Sequence, residues 1–173
     1  MYENINGRCL IIMGVSSTGK SSIGKALAQA INAQFIDGDD LHPKDNLIKM
    51  ASGQSLNDDD RLPWLECVRD AMGQLVDDEH AGVMVCSALK KQYRDVLREG
   101  NKRAVFLHLY GSFELILQRM KRREDHFMPI ELLQSQFDAL AFPSRDESDV
   151  YHINIDGTFE QVLEKCLTEI RQL

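Results

Sequence analysis

The stretch Met13-Gly14-Val15-Ser16-Ser17-Thr18-Gly19-Lys20-Ser21-Ser22 fills every specified position of the G-x-x-x-x-G-K-[ST] template of a phosphate-binding loop. Its glycines let backbone N–H groups turn inward around phosphate oxygens. Lys20 is placed to reach the β- and γ-phosphates, and the Ser21 hydroxyl to sit on Mg²⁺. The flanks agree with this reading. Leu10-Ile11-Ile12-Met13 runs in as a buried parallel strand would, and Ile23, Leu27 and Ile31 recur at i, i+4 and i+8 as the apolar face of a helix. A Gly/Ser turn serving only to link strand to helix would not need a lysine at a helix N-terminus, where the dipole disfavours a cation. Gly14, Val15, Ser16, Ser17, Thr18, Gly19, Lys20, Ser21 and Ser22 are therefore the candidates for gripping a nucleotide's phosphates.

The remaining composition narrows the field. A chain of 173 residues suffices for one domain, 1–173, with a proper core, and nothing in it reads as a linker. The formal net charge of −7 argues against sequence-independent nucleic-acid binding, which needs a basic surface, so an anionic substrate must be met by local basic clusters. No apolar run is long enough to span a bilayer, and no secretory h-region stands out. Cys9, Cys67, Cys86 and Cys166 form no C-x-x-C pair and read as reduced core residues of a cytoplasmic protein.

Along the chain, Ala33-Gln34-Phe35-Ile36-Asp37-Gly38-Asp39-Asp40 reads as a short strand ending in a turn. The carboxyl edge of an open α/β sheet is where ligands bind, so Asp37 and Asp39 should face the same crevice as the phosphate loop. Turn chemistry alone explains one aspartate more easily than two. His42-Pro43 opens a short helix over about 44–50, and a histidine there is a natural loop brace. In Leu56-Asn57-Asp58-Asp59-Asp60-Arg61-Leu62-Pro63-Trp64 the acids suit a helix N-terminus and Pro63 its first turn, whereas the guanidinium of Arg61 suits a carboxylate. Gly82 to Cys86 is a buried strand, after which Lys90, Arg94 and Arg98 recur on one helix face. That stripe is either solvated or a wall of the crevice, with Lys90 nearest the strand's end.

A strand over 104–110 carries His108, read as a core or sheet-edge residue, and leads into a helix ending in Arg119-Met120-Lys121-Arg122-Arg123. Basic residues in a last turn suit the dipole, but this many suggest an anion-clamping lid over about 119–140. A fifth strand over 150–155 precedes a helix opened by a Thr158/Gln161 capping box. Five apolar strands alternating with helices imply a three-layer α/β domain, a parallel sheet covered on both faces.

A GTPase switch needs an Asn-Lys-x-Asp base reader, yet Asn101-Lys102 is followed by Arg103-Ala104. A small-molecule kinase needs a Mg²⁺ ligand, a base at the acceptor hydroxyl and cations over the transferred group, and each has candidates. The strand before Ser87 ends without an acid, so Asp37 joins Ser21 as the metal candidate. Asp39 is left to orient and deprotonate the acceptor.

The phosphate loop, Asp37-Gly38-Asp39-Asp40-Leu41-His42-Pro43, Leu56 to Arg61, Cys86-Ser87-Ala88-Leu89-Lys90-Lys91-Gln92-Tyr93-Arg94-Asp95 and His126-Phe127-Met128 together resemble the bacterial gluconokinases of the shikimate-kinase-like type. The departures are Ser17-Thr18, where glycine-serine is common in that family, and Glu124-Asp125 ahead of His126, where a glycine is common. The resemblance implies a P-loop NTPase fold of the nucleoside-monophosphate-kinase type with a five-stranded parallel sheet in the order 2-3-1-4-5. It implies ATP-dependent phosphorylation of D-gluconate at its terminal hydroxyl, with Mg²⁺, often by a cytoplasmic homodimer. On that reading Lys20, Asp39 and Arg123 act in catalysis, and Arg119 joins the phosphate loop on the nucleotide. Asp39, His42, Arg61, Ser87, Lys90 and Arg94 hold the acceptor. Spacing alone leaves open a kinase of another hydroxy acid or of a nucleotide.

Overall fold

The computed structural model of the chain describes residues 2–122 and 129–173. Its elements run β1 (Cys9–Met13), α1 (Lys20–Ala30), β2 (Gln34–Asp37), α2 (Lys44–Ala51), α3 (Asp58–Leu75), β3 (Gly82–Val85) and α4 (Lys91–Arg98). There follow β4 (Val105–Tyr110), α5 (Phe113–Arg122), α6 (Ile130–Ala139), β5 (Val150–Asn154) and α7 (Phe159–Arg171). The strands pair in the order β2-β3-β1-β4-β5, the order the family resemblance implies, and all are parallel, as the apolar strands alternating with helices require. Every residue of β1 is buried. Side chains alternate across a pleated strand, so Leu10 and Ile12 join one core with α1 and α7, while Cys9, Ile11 and Met13 join the other with α3 and α4. Parallel pairing puts all carboxyl ends on one edge, where the phosphate loop, the turn after β2 and the turn after β3 meet.

Local signals explain most element boundaries. Thr158 and Gln161 form the expected capping box, and Asn57 with Asp60 forms a second one that starts α3 at Asp58. Asp58, Asp59 and Asp60 thus occupy the first turn, and Pro63 lies inside the helix, one turn later than expected. Its missing N–H takes the usual helical donor from the carbonyl of Asp59, an exposed residue. Cys9, Cys86 and Cys166 are buried free thiols, but Cys67, expected in the core, lies exposed on α3.

The stripe Lys90, Arg94, Arg98 is the main correction. Arg94, expected on the acceptor, is 0% exposed, and all its N–H donors are engaged inside the protein. Its Nε and Nη2 donate to the Glu147 carboxylate at 2.7 and 2.8 Å, Nη1 to the Ala88 and Leu89 carbonyls, and Nη2 also to the Ala141 carbonyl. Arg98 extends the cluster to Glu147, Asp149 and Asp95. The helix face is the predicted one, but it packs on the segment leading into β5.

His108 is 1% exposed; its Nδ1 lies 2.9 Å from His152 Nδ1, and its Nε2 has no hydrogen-bond partner among the described residues. Burial first, then the nearby His152, Arg94 and Lys20, push its pKa down to about 3, against a smaller opposing pull from Glu147. The folded chain therefore holds this imidazole neutral. An unfolded imidazole titrates near 6.5, so the stabilisation is complete above that pH and is lost as the unfolded state takes up a proton that the folded state refuses.

Two outcomes are expected in urea titrations. Glu147→Ala, which leaves the Arg94 charge buried without its carboxylate, should cost about 3–5 kcal/mol at neutral pH. His108→Phe should flatten the fall in stability between roughly pH 6 and pH 4 by about 1.4 kcal/mol per pH unit relative to the parent.

Candidate active site

The phosphate loop is shaped by close approaches that exclude side chains. Gly14 has φ 143°, and a Cβ there would lie 2.4 Å from the Leu109 carbonyl oxygen. Its N–H donates to the Ser87 carbonyl, tying the loop to the end of β3. The Val15 carbonyl accepts from Thr18 Oγ1 at 3.0 Å and from Lys20 Nζ at 2.8 Å, which closes the loop on itself. Ser17, where the resembled family has glycine, sits at φ 64°, a left-handed conformation that costs a side-chain-bearing residue about 1–2 kcal/mol. Gly19, at φ 88°, is the N-cap of α1 and supplies no side-chain cap, so the first N–H groups of the helix stay available to an anion. Ser16, Ser17, Gly19, Lys20, Ser21, Ser22 and Asp39 line a cavity of about 200 Å³ here.

β2 delivers two carboxylates to the same edge. Asp37 Oδ2 accepts from Ser21 Oγ at 2.9 Å, and Oδ1 accepts from the Asp39 N–H at 3.0 Å, which aims the following turn. Gly38 fits between them because a Cβ would lie 2.5 Å from the Val85 carbonyl oxygen, and its own carbonyl accepts from Trp64 Nε1 at 2.8 Å. The hydroxyl and carboxylate oxygens of Ser21 and Asp37 are the hard donors a Mg²⁺ ion takes, and they sit beside the phosphate cavity. The Asp39 carboxyl is held above its ordinary pKa, by burial first and then by Asp37, with Lys20 and His42 opposing.

A second cavity, of about 430 Å³, is lined by Asp39, His42, Arg61, Trp64, Ser87 and Gln136 among others. His42 stacks on Trp64 with ring centroids 4.2 Å apart, and its Nδ1 lies 3.3 Å from Asn46 Nδ2. Asn46 Nδ2 is a donor, so Nδ1 accepts and Nε2 bears the proton, in keeping with a pKa lowered chiefly by burial. Arg61 lies over the Tyr93 ring and donates to its hydroxyl at 3.2 Å; that hydroxyl donates in turn to Asp58.

The structure thus gathers the phosphate-loop residues with Asp37, Asp39, His42, Arg61 and Ser87. It does not bring Arg94, which is interior, with them. Lys90 lies at the rim, donating to Asp58 at 3.1 Å with its Nζ 5.6 Å from the Tyr93 ring that Arg61 also covers. Arg119 Nη2 donates to the carbonyls of Ile155 at 2.6 Å and Gly157 at 3.2 Å, fastening α5 to the turn before α7. Arg123, with the rest of 123–128, lies outside the described residues. Trp64 and Gln136 were not singled out from sequence. The signal for Gln136 was its place three residues after Leu133 and one before Phe137, a polar side chain on an otherwise apolar face.

Comparison with known proteins fits this geometry. Residues 16–171 match the family model of shikimate kinase. The chain is 51% identical to the thermosensitive gluconokinase of Escherichia coli (strain K12) over 92% of its own length and 86% of that protein's. It is 44% identical to the thermoresistant gluconokinase of the same organism, over 94% and 93%. The crystal structure of a gluconokinase from Sinorhizobium meliloti 1021 superposes with a TM-score of 0.86 at 38% identity, covering 96% of this chain and 93% of that one.

Asp39 forms part of both cavity walls, which makes it the sharpest test of the site. Asp39→Asn should lower kcat for phosphoryl transfer by roughly 10²–10⁴-fold while binding of a fluorescent ATP analogue persists. In the parent, the acid limb of kcat/KM should have its midpoint above the ordinary aspartate value, the direction that desolvation in the crevice and the neighbouring Asp37 set for Asp39. Turnover within a few-fold of the parent would remove Asp39 from the chemistry.

Proposed function

As this chain belongs to the gluconokinases of the shikimate kinase family, we infer that ATP donates its γ-phosphoryl group to the terminal hydroxyl of D-gluconate, giving 6-phospho-D-gluconate and ADP, with Asp39 as the base. The observation that carries the division of roles is the sharing of Asp39 between the phosphate-loop cavity and the second cavity. A group that takes a proton from the attacking hydroxyl must stand where acceptor and phosphoryl donor meet, and among the described residues no other lines both.

The remaining roles follow from placement. Loop N–H groups and Lys20 hold the phosphates and meet the charge that develops on transfer. Ser21 and Asp37 would hold a Mg²⁺ ion, which when bound neutralises phosphate charge. Arg61 is the guanidinium in the acceptor wall, positioned by Tyr93 to meet the sugar-acid carboxylate, while His42, braced on Trp64 and Asn46, presents its Nε2 proton as a neutral donor to the polyol. Arg119 and Arg123 are the cations at the basic end of the lid expected over about 119–140, and that end would close on the nucleotide while α6 stays docked against the phosphate loop. We place the enzyme in the cytoplasm as a homodimer. Its free thiols suit a reducing compartment, the dimer is what the family resemblance implies, and no described helix is long and apolar enough to cross a membrane.

An ADP-release assay over gluconate, sorbitol, glucose and nucleoside monophosphates tests the reading. Gluconate should exceed sorbitol, its linear neutral counterpart, by roughly 100-fold or more in kcat/KM, because a neutral ligand leaves Arg61 without its partner in a closed site. Arg61→Ala should shrink that ratio. Equal use of sorbitol would remove Arg61 from acceptor recognition, and a preference for a nucleoside monophosphate would overturn the acceptor itself.

A further inference from the structure

α6 brings one polar side chain to the phosphate loop. The Ser16 N–H donates to Gln136 Oε1 at 2.6 Å, and Gln136 also forms part of the wall of the 430 Å³ cavity. A backbone N–H can be met only by an acceptor, so the amide oxygen faces the loop. The NH₂ end, with two donors and no partner among the described residues, is left for the cavity. The helix is a firm platform for that amide. Leu133, one turn earlier, is 0% exposed, the Ala141 N–H after the helix donates to the Leu89 carbonyl at 2.8 Å, and the Ala141 carbonyl accepts from Arg94 at 2.9 Å.

We propose that Gln136 contacts the hydroxy-acid acceptor, its Nε2 donating to an oxygen of the polyol chain while its Oε1 keeps the Ser16 N–H. One planar amide then fixes the acceptor relative to the loop that holds the phosphoryl donor. Because Ser16 also lines the phosphate cavity, acceptor and nucleotide each find the loop better ordered when the other is bound. The proposal rests on reading the larger cavity as the acceptor site.

Gln136→Ala and Gln136→Glu in the full chain separate the two ends of the amide. Alanine removes both, whereas glutamate keeps an oxygen for the Ser16 N–H and removes the donor. Both variants should raise KM for gluconate by about tenfold or more and lower kcat, with the Kd of a non-hydrolysable ATP analogue alone changed by less than about twofold. In the parent, saturating gluconate should tighten analogue binding by about fivefold or more, and both variants should lose that coupling. Melting temperatures measured alongside show whether either variant is folded, and glutamate decides the matter if alanine is not. A glutamate variant with the parent's KM, kcat and coupling would overturn the proposal, as would a folded alanine variant with both kinetic constants unchanged. A parent inactive toward every polyhydroxy acid would instead overturn the acceptor reading beneath it.

Discussion

A single guanidinium with every donor engaged holds the carboxyl edge of the sheet together. Arg94 grips the two carbonyls of the turn after β3, the carbonyl that follows α6 and the Glu147 carboxylate ahead of β5. Those segments carry or adjoin Ser87 and Gln136, which line the 430 Å³ cavity. Ala88, at φ 48°, is strained for a residue with a side chain, and the carbonyls on Ala88 and Leu89 are the ones that Arg94 fixes. Burying a charge pair contributes little net stability against a hydrophobic alternative, but half of one left behind is severely destabilising. The cluster is therefore best understood as fixing where two loops sit, the turn after β3 and the connection from α6 to β5, with geometry rather than stability as its product.

The electrostatics of the cleft follow from the same economy of placement. The chain is acidic overall, yet its substrates are anions, so long-range attraction is absent and local donors must do the recognition. Several cations near the edge are already paired: Lys90 with Asp58, Lys49 with Asp60, Arg98 with Asp149. Asp58 is held down to about 2, first by the Tyr93 hydroxyl and then by Lys90, and so stays ionised as an anchor for the tyrosine beneath Arg61. Backbone N–H groups at the start of α1 supply the remaining positive potential without adding a charge that would need a partner.

Much of the fold was legible in the sequence, and the misread site residues are those whose partners lie far along the chain or on its backbone. The phosphate loop, the parallel sheet and the Asp37-Gly38-Asp39 turn are local patterns whose chemistry is contained in a few adjacent residues. The strand order came from resemblance, since periodicity says that strands are buried but not which ones are neighbours. Arg94 was assigned to the cleft because a helical repeat shows which residues share a face and not what that face meets; its partner Glu147 lies 53 residues away. Gln136 was passed over for the converse reason, because its partner is a backbone N–H that no side-chain pattern records. Pro63 was misplaced because a second capping box moved the start of α3 upstream, and Cys67 because it was grouped with the core thiols although the buried face of Leu65, Val68 and Met72 turns it outward.

Asp39 belongs to two walls at once, and that constrains how such an enzyme can diversify. On the roles proposed above, replacing it to suit a different acceptor would also alter the phosphate-loop cavity that it lines. Selectivity must therefore change through residues that touch the acceptor cavity alone, chiefly His42, Arg61 and Trp64 between β2 and the first turns of α3. A redesign aimed at a new sugar acid has a short, contiguous stretch of chain to vary and can leave the transfer machinery intact.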